Sequence, residues 1–133
     1  MTVRQMRLVV EAEDYEEAVR FYRDVLGLRE ELAVAGPDGA QVTILDAGRA
    51  TLELANPAQK RFIDEVEVGR QVAPAFRIAF EVADVDGATR RLASAGAEVI
   101  AEPVETPWRS RNARLAAPAG IQLTLFEELD SRD

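Results

Sequence analysis

Arg7-Leu8-Val9-Val10-Glu11-Ala12-Glu13-Asp14-Tyr15-Glu16-Glu17-Ala18 returns seventy residues later as Arg77-Ile78-Ala79-Phe80-Glu81-Val82-Ala83-Asp84-Val85-Asp86-Gly87-Ala88. Few identities survive, but each copy places an arginine seven residues before an aspartate and an alanine four residues after it. Each opens on a short aliphatic run, the pattern of a strand, and its aspartate stands where a helix begins. Self-similarity at a fixed offset marks a structural unit used twice.

Outward from these anchors, one order of elements reads twice. In the first copy Met6 to Val10 is the strand. Asp14 caps a helix with Glu17 three positions on, and Tyr15, Ala18, Val19, Tyr22, Val25 and Leu26 form an apolar stripe at helical spacing. Gly27 ends it, because glycine tolerates the left-handed conformation past a helix. Strands are expected over about Arg29 to Ala35, Gln41 to Asp46 and Arg49 to Ala55, divided by Gly36-Pro37-Asp38-Gly39 and Ala47-Gly48. In the second copy Phe76 to Val82 is the strand, Asp84 caps a helix striped by Val85, Ala88, Leu92 and Ala95, and Gly96 closes it. Glu98 to Ala101, Asn112 to Ala116 and Ile121 to Glu127 are its three further strands. Between the copies Asn56-Pro57 starts a short helix with Phe62, Ile63 and Val66 on its apolar face.

The chain thus reads as one domain over residues 1–133: a module over about 4–55, a connector over 56–74 and a second module over about 75–128. The expected class is α+β, with two β-α-β-β-β modules forming a cavity-bearing curved sheet and helices outside it. A ferredoxin-like sandwich needs fewer strands than are counted here.

Composition narrows the chemistry. The 133 residues hold 16 Lys plus Arg against 24 Asp plus Glu, no His and no Cys, for a formal charge of −8. Zinc fingers, thiolate clusters, cysteine nucleophiles and Ser-His-Asp triads are excluded by inventory, and carboxylates remain as the strong metal ligands. The acidic balance argues against nucleic acid and acidic membranes as partners. No run approaches the ~18 apolar residues of a membrane span, and a cytoplasmic protein is expected.

The stretch from Asp14 through Phe21-Tyr22 to Leu26-Gly27 resembles the signature D-x-x-x-A-x-x-F-Y-x-x-x-L-G of the glyoxalase, bleomycin-resistance and extradiol-dioxygenase superfamily, the vicinal oxygen chelate proteins. The second module repeats the resemblance weakly in Ala79-Phe80-Glu81-Val82-Ala83-Asp84, Ala95-Gly96-Ala97-Glu98-Val99, Pro107-Trp108 and Pro118-Ala119-Gly120. It implies the paired-module fold and a homodimer, often with cavities built from modules of both chains. It also implies four metal-ligand positions in the metal-dependent members, which fall here on Arg7, Glu53, Arg77 and Thr124. Only Glu53 is an ordinary ligand, so no metal and no cofactor are expected. The bleomycin-resistance branch, in which a dimer holds its ligand without altering it, is then the nearer functional analogue. A glyoxalase-like lyase or isomerase, or a dioxygenase-related enzyme with an atypical or absent metal site, is the alternative.

Strand alternation supplies a candidate site independently. A period of two puts Arg7 with Val9, Arg77 with Ala79, Glu53 with Thr51, and Thr124 with Gln122 and Phe126 on one face, leaving Leu8, Val10, Ile78, Phe80, Leu123 and Leu125 for the core under the helices. The ligand-binding candidates are therefore Arg7, Val9, Glu53, Arg77, Ala79, Trp108, Gln122, Thr124 and Phe126, with no catalytic residue assigned. Arg7 or Arg77 contacts the ligand or pairs with Glu53, and Trp108 stacks on it or packs at a dimer seam. Two nearby arginines are expected to lower the Glu53 pKa, against a role as general base. Arg109, Arg111 and Arg114 read as solvated loop charge, with anion recognition at a pocket rim as the alternative. Phe62 and Phe76 read as core or connector packing, and Glu65, Glu67, Glu127, Glu128 and Asp130 as solvated surface. The expected ligand is a small aromatic compound, an antibiotic or other natural product, neutral or anionic, with carboxylate, phenolate or quinone edges.

Overall fold

The computed structural model describes residues 1–25, 27–117 and 120–129. Its strands are β1 (Gln5–Glu11), β2 (Arg29–Ala35), β3 (Gln41–Asp46), β4 (Thr51–Ala55), β5 (Phe76–Glu81), β6 (Glu98–Glu105), β7 (Ser110–Ala117) and β8 (Ile121–Glu128). Its helices are α1 (Tyr15–Val19), α2 (Pro57–Glu67) and α3 (Val85–Ser94). The strands form one eight-stranded sheet in the order β2-β3-β4-β1-β5-β8-β7-β6. Within the modules β1 runs parallel to β4 and β5 parallel to β8, and the two first strands meet antiparallel in the middle. This curved α+β sheet agrees with the sequence reading.

Local chemistry sets the ends of the helices. Asp14 Oδ1 accepts from the Glu17 N–H, Asp84 Oδ1 from Gly87, and Asn56 Oδ1 from Gln59. Asn56 also accepts from Gln41 and donates to the Gly39 carbonyl, which ties the start of α2 to the turn before β3. The first helix is a single α-turn that widens into a π-helical turn over Arg20–Val25 instead of one continuous α-helix. Leu26 of its stripe lies outside the described residues, as do Pro118, Ala119, Asp130 and the side chains of Phe21 and Val25. The strand expected to stop at Ala101 runs on through Pro103 to Glu105, because β6 is an edge strand whose outer amides need no partner.

Helices α1 and α3 cover the convex face. Val19, Leu45 and Leu54 form one core cluster with Tyr15, Ala18 and Tyr22, and Val82, Val85, Ala88, Ala113, Leu115 and Leu125 form the other. The connector helix goes to the opposite side. Its buried stripe is Ile63, Asp64 and Glu67, and it meets β7 across the concave face, so the module joint also furnishes a wall of the cavity. Among the described residues no helix is long and apolar enough to cross a membrane.

Candidate functional site

A cavity of about 350 Å³ opens on the concave face, near the lower end of the ~300–1,000 Å³ usual for small-molecule sites. Both modules of the same chain line it. Register builds its floor: Val9 of β1 lies opposite Glu53 of β4 on one side and Arg77 of β5 on the other, and Arg7 lies opposite Ala79. Ala79 in turn lies opposite Thr124 of β8. The strands thus bring Arg7, Val9, Glu53, Arg77, Ala79, Thr124 and Phe126 to one surface, and Trp108 joins them at the rim. Gln122 shares the face but not the cavity, because its side chain accepts from Arg114 and donates to the Val72 carbonyl.

The two cavity arginines have different surroundings. Arg7 lies 3.8 Å from Glu53 and 3.8 Å from Glu128, and its guanidinium sits 5.0 Å from the centre of the Phe126 ring. It is the arginine that pairs with Glu53. Arg77 is 9% exposed, its Nε donates to Thr124 Oγ1 at 3.0 Å, and among the described residues it makes no ion pair. Burial pulls the Arg77 pKa below its ordinary value, with Glu67, Glu53 and Asp64 opposing the shift; guanidinium nonetheless stays charged in proteins. Its remaining donors are therefore available to whatever enters.

Glu53 corrects an expectation. Burial pushes its pKa up, and the pull of Arg77 and Arg7 does not overcome that push, to which Glu67 adds. The charge pair with Arg7 is too long to be a hydrogen bond, so desolvation decides the direction.

Six further residues have surroundings other than those expected. Glu67, expected at the surface, is 3% exposed: its Oε1 accepts from Arg114 Nε and Nη2, and its Oε2 from Asn112 Nδ2. Arg114, expected as solvated charge, is fully buried and also donates to Asp64 Oδ1 at 2.8 Å. Phe62, expected in connector packing, lines the cavity and meets Trp108 with ring centres 6.1 Å apart, while Phe76, expected in the core, is 62% exposed. Glu128 is at the cavity edge against Arg7, and Glu127 accepts from the Val85 N–H at the start of α3. For Asp64, burial acts upward, but the N–H groups of Ala73 and Val72 and the Arg114 guanidinium hold its carboxyl below the usual range.

Trp108 is held by its turn. Thr106 and Ser110 are buried and bonded through backbone and hydroxyls, and Arg109 takes a left-handed φ of 65° to close the loop. Leu32, Val34, Val42 and Ile44 add apolar lining to the same cavity. These four and the α2 residues Gln59, Phe62, Ile63 and Glu67 were missed from the sequence. Alternation along β2 and β3 marks the four strand residues. Two acids sharing the stripe of Ile63, at spacings of one and four, mark the helix.

The glyoxalase/bleomycin resistance protein/dioxygenase superfamily model matches residues 5–125. The chain belongs to this superfamily. An uncharacterized protein of Mycolicibacterium smegmatis is 29% identical over 112 residues, 84% of each chain. Hypothetical protein BH1468 from Bacillus halodurans C-125 superposes with a TM-score of 0.74 at 17% identity, covering 100% of this chain and 99% of its own. Methylmalonyl-CoA epimerase from Mycobacterium tuberculosis does so with a TM-score of 0.62 at 23% identity, over 95% of this chain and 87% of its own. These two likenesses show the fold.

The superfamily's metal positions do not fit a metal here. Guanidinium has no lone pair to give, and both Arg7 and Arg77 present one. The Thr124 hydroxyl is engaged with Arg77 and Glu67. Glu53 alone falls short of the ligand number of Mg, Mn, Fe or Zn, and among the described residues no three His, Cys, Asp or Glu converge.

Proposed function

We propose that this protein binds and holds a small, flat organic molecule by its oxygen-bearing edge, without converting it. The observation that carries the reading is Arg77: a cation nine-tenths buried, steadied by Thr124 and otherwise unpaired among the described residues, on the floor of a cavity whose walls are mostly apolar. Carbonyl, phenolate or carboxylate oxygens suit its paired N–H donors, and Trp108 with Phe62 offers ring faces at the rim. An aromatic antibiotic or natural product of that kind is the occupant class, as in the bleomycin-resistance branch, and binding occurs in a homodimer.

Calorimetric titration with 2-naphthoate, 2-naphthol, 1,4-naphthoquinone and cationic 2-naphthylmethylamine tests this. The neutral and anionic compounds should bind tighter than the amine and return chemically unchanged. Arg77→Ala should weaken them about tenfold, for about 1.4 kcal/mol lost. Tightest binding by the amine overturns the reading.

One observation favours a second reading. The raised Glu53 pKa suits a general acid or base beside a cationic oxygen binder. A compound recovered with a proton moved or a bond broken, and activity lost in Glu53→Gln, would make that reading the correct one.

A further inference from the structure

On the concave face Arg7, Arg77, Arg114, Asp64, Glu67 and Glu53 differ in how far each is already committed, and Arg109 and Glu128 line the cavity as well. Arg114 is spent on Asp64, Glu67 and Gln122. Arg7 donates through Nε to Gln5 Oε1 and is balanced in charge by Glu53 and Glu128, each 3.8 Å away, with the Phe126 ring centre 5.0 Å from its guanidinium. Arg77 donates through Nε to Thr124 and, unlike Arg7, has no carboxylate within ion-pair distance among the described residues, so its two Nη groups are left for a ligand. Among the carboxylates, Asp64 accepts from Val72, Ala73 and Arg114, and both oxygens of Glu67 are taken up by Arg114 and Asn112. Glu53 accepts no hydrogen bond from the described residues and has only the long pair with Arg7.

Arg77 and Glu53 stand on the two strands flanking β1, opposite the same residue, Val9. Two strand spacings put their backbones about 10 Å apart, with a short apolar side chain between them. A group one carboxylate wide fits over Val9 with the guanidinium on one side and the Glu53 carboxyl on the other. An anion placed there meets Glu53 directly and Glu67 across Arg77, and two carboxylates facing one another at close range cannot both stay charged. Glu67 is already held by Arg114 and Asn112, whereas both Glu53 oxygens are open to a new partner.

We propose that the ligand is a monocarboxylate seated between Arg77 and Glu53, and that Glu53 takes up one proton from solvent as the ligand binds. This rests on the binding reading above. The proton turns Glu53 from an opposing charge into a hydrogen-bond donor, so the ligand's two oxygens meet the Arg77 fork on one side and an O–H on the other. Arg7, released by Glu53, keeps Glu128. A dianion such as phosphate is disfavoured, because the Arg77 guanidinium faces it from between the Glu53 and Glu67 carboxyl groups. The groups facing Glu53 are Arg7 from β1, Arg77 from β5 and Glu67 from α2, and Glu128 of β8 reaches it through Arg7. The upward pull of burial on Glu53 acts in the direction the uptake needs.

Titration of the full chain with 2-naphthoate from pH 5 to 9, in buffers of different ionisation enthalpy, tests the inference. Proton uptake should approach one per ligand, and affinity should fall about tenfold per pH unit once Glu53 is ionised in the free protein. In Glu53→Gln, whose fold is checked by far-UV circular dichroism, naphthoate should still bind, with no uptake and a flat pH profile. Pocket binding of naphthoate with no proton uptake anywhere in the range, or uptake that persists in Glu53→Gln, overturns the inference and leaves the binding reading standing. So does binding of 2-naphthol or 1,4-naphthoquinone with none of naphthoate. Failure of all these compounds to bind removes the binding reading, and the inference with it.

Discussion

Arg114→Met removes a fully buried guanidinium and leaves an unbranched apolar chain in its place. Four hydrogen bonds go: Nη1 to Asp64 Oδ1 and to Gln122 Oε1, and Nε and Nη2 to Glu67 Oε1. The damage is uneven. Asp64 keeps the N–H groups of Val72 and Ala73, whereas Glu67 keeps Asn112 and a long 3.5 Å contact from Thr124. Removing one partner of a buried pair costs about 3–5 kcal/mol, because the other charge is left in a poor solvent. Against the ~5–15 kcal/mol of an ordinary domain, the variant should fold with little margin.

Urea unfolding followed by circular dichroism at pH 7 and at pH 4.5 measures this. In the native protein the Asp64 pKa is lowered, so its contribution is present above the unfolded-state pKa and lost as pH falls through the folded value. The native protein therefore weakens in strong acid. In Arg114→Met the buried carboxylates have lost their cation, protonation relieves them, and the deficit against wild type should shrink as pH falls. A loss under about 1 kcal/mol at pH 7, the size of an exposed pair, would refute the reasoning. So would a deficit that grows in acid. Replacing Asp64 by Asn and Glu67 by Gln in the same variant should restore much of the loss.

Glu53→Gln should raise the thermal midpoint at pH 7: a raised folded-state pKa means the ionised carboxylate weakens the native state as pH rises through that value, and the gain should vanish below the unfolded pKa. Scanning calorimetry at pH 4 and 7 checks it, and an equal midpoint at pH 7 counts against the buried environment. Elemental analysis should find no stoichiometric Ni, Zn, Mn or Fe lost on Glu53→Gln, because the superfamily's other ligand positions are Arg7, Arg77 and Thr124. Sedimentation equilibrium at tens of micromolar should give a dimer, and the monomer mass of 14.6 kDa would contradict it.

What could be read from the chain was what local chemistry fixes. The aspartate caps, the closing glycines and the apolar stripes each depend on neighbours a few residues away, and the 70-residue offset ties the two sets together. Alternation then assigned Arg7, Glu53, Arg77 and Thr124 to one face without any knowledge of curvature. The same rule, carried along β7, would have separated the arginine cluster. Arg111 points to the convex side and pairs with Asp86 of α3 at 2.9 Å, while Arg114, three residues on, points to the concave side and α2. The parity of the strand separates residues that lie close together in sequence.

Glu67 was half legible: its place on the stripe of Ile63 could be read, but its partner could not. Its neighbours Glu65 and Arg61 are exposed and ordinary, and only a partner 47 residues away turns an acidic helix position into a buried one. Sequence spacing carries no information about such a pair until the connector helix is known to lie on the concave face. Once it does, the charge arithmetic of the cavity follows. A metal at the superfamily position would bring positive charge together with open coordination sites, which polarise an oxygen and promote reaction. A guanidinium at Arg77 brings positive charge with fixed donors and no open site, so it can orient and retain an oxygen-bearing group but offers no Lewis acid. On the proposed binding reading, arginine at these positions suits the floor of this cavity to holding a group without metal-assisted activation, and Glu53 is the group on which any proton transfer would depend.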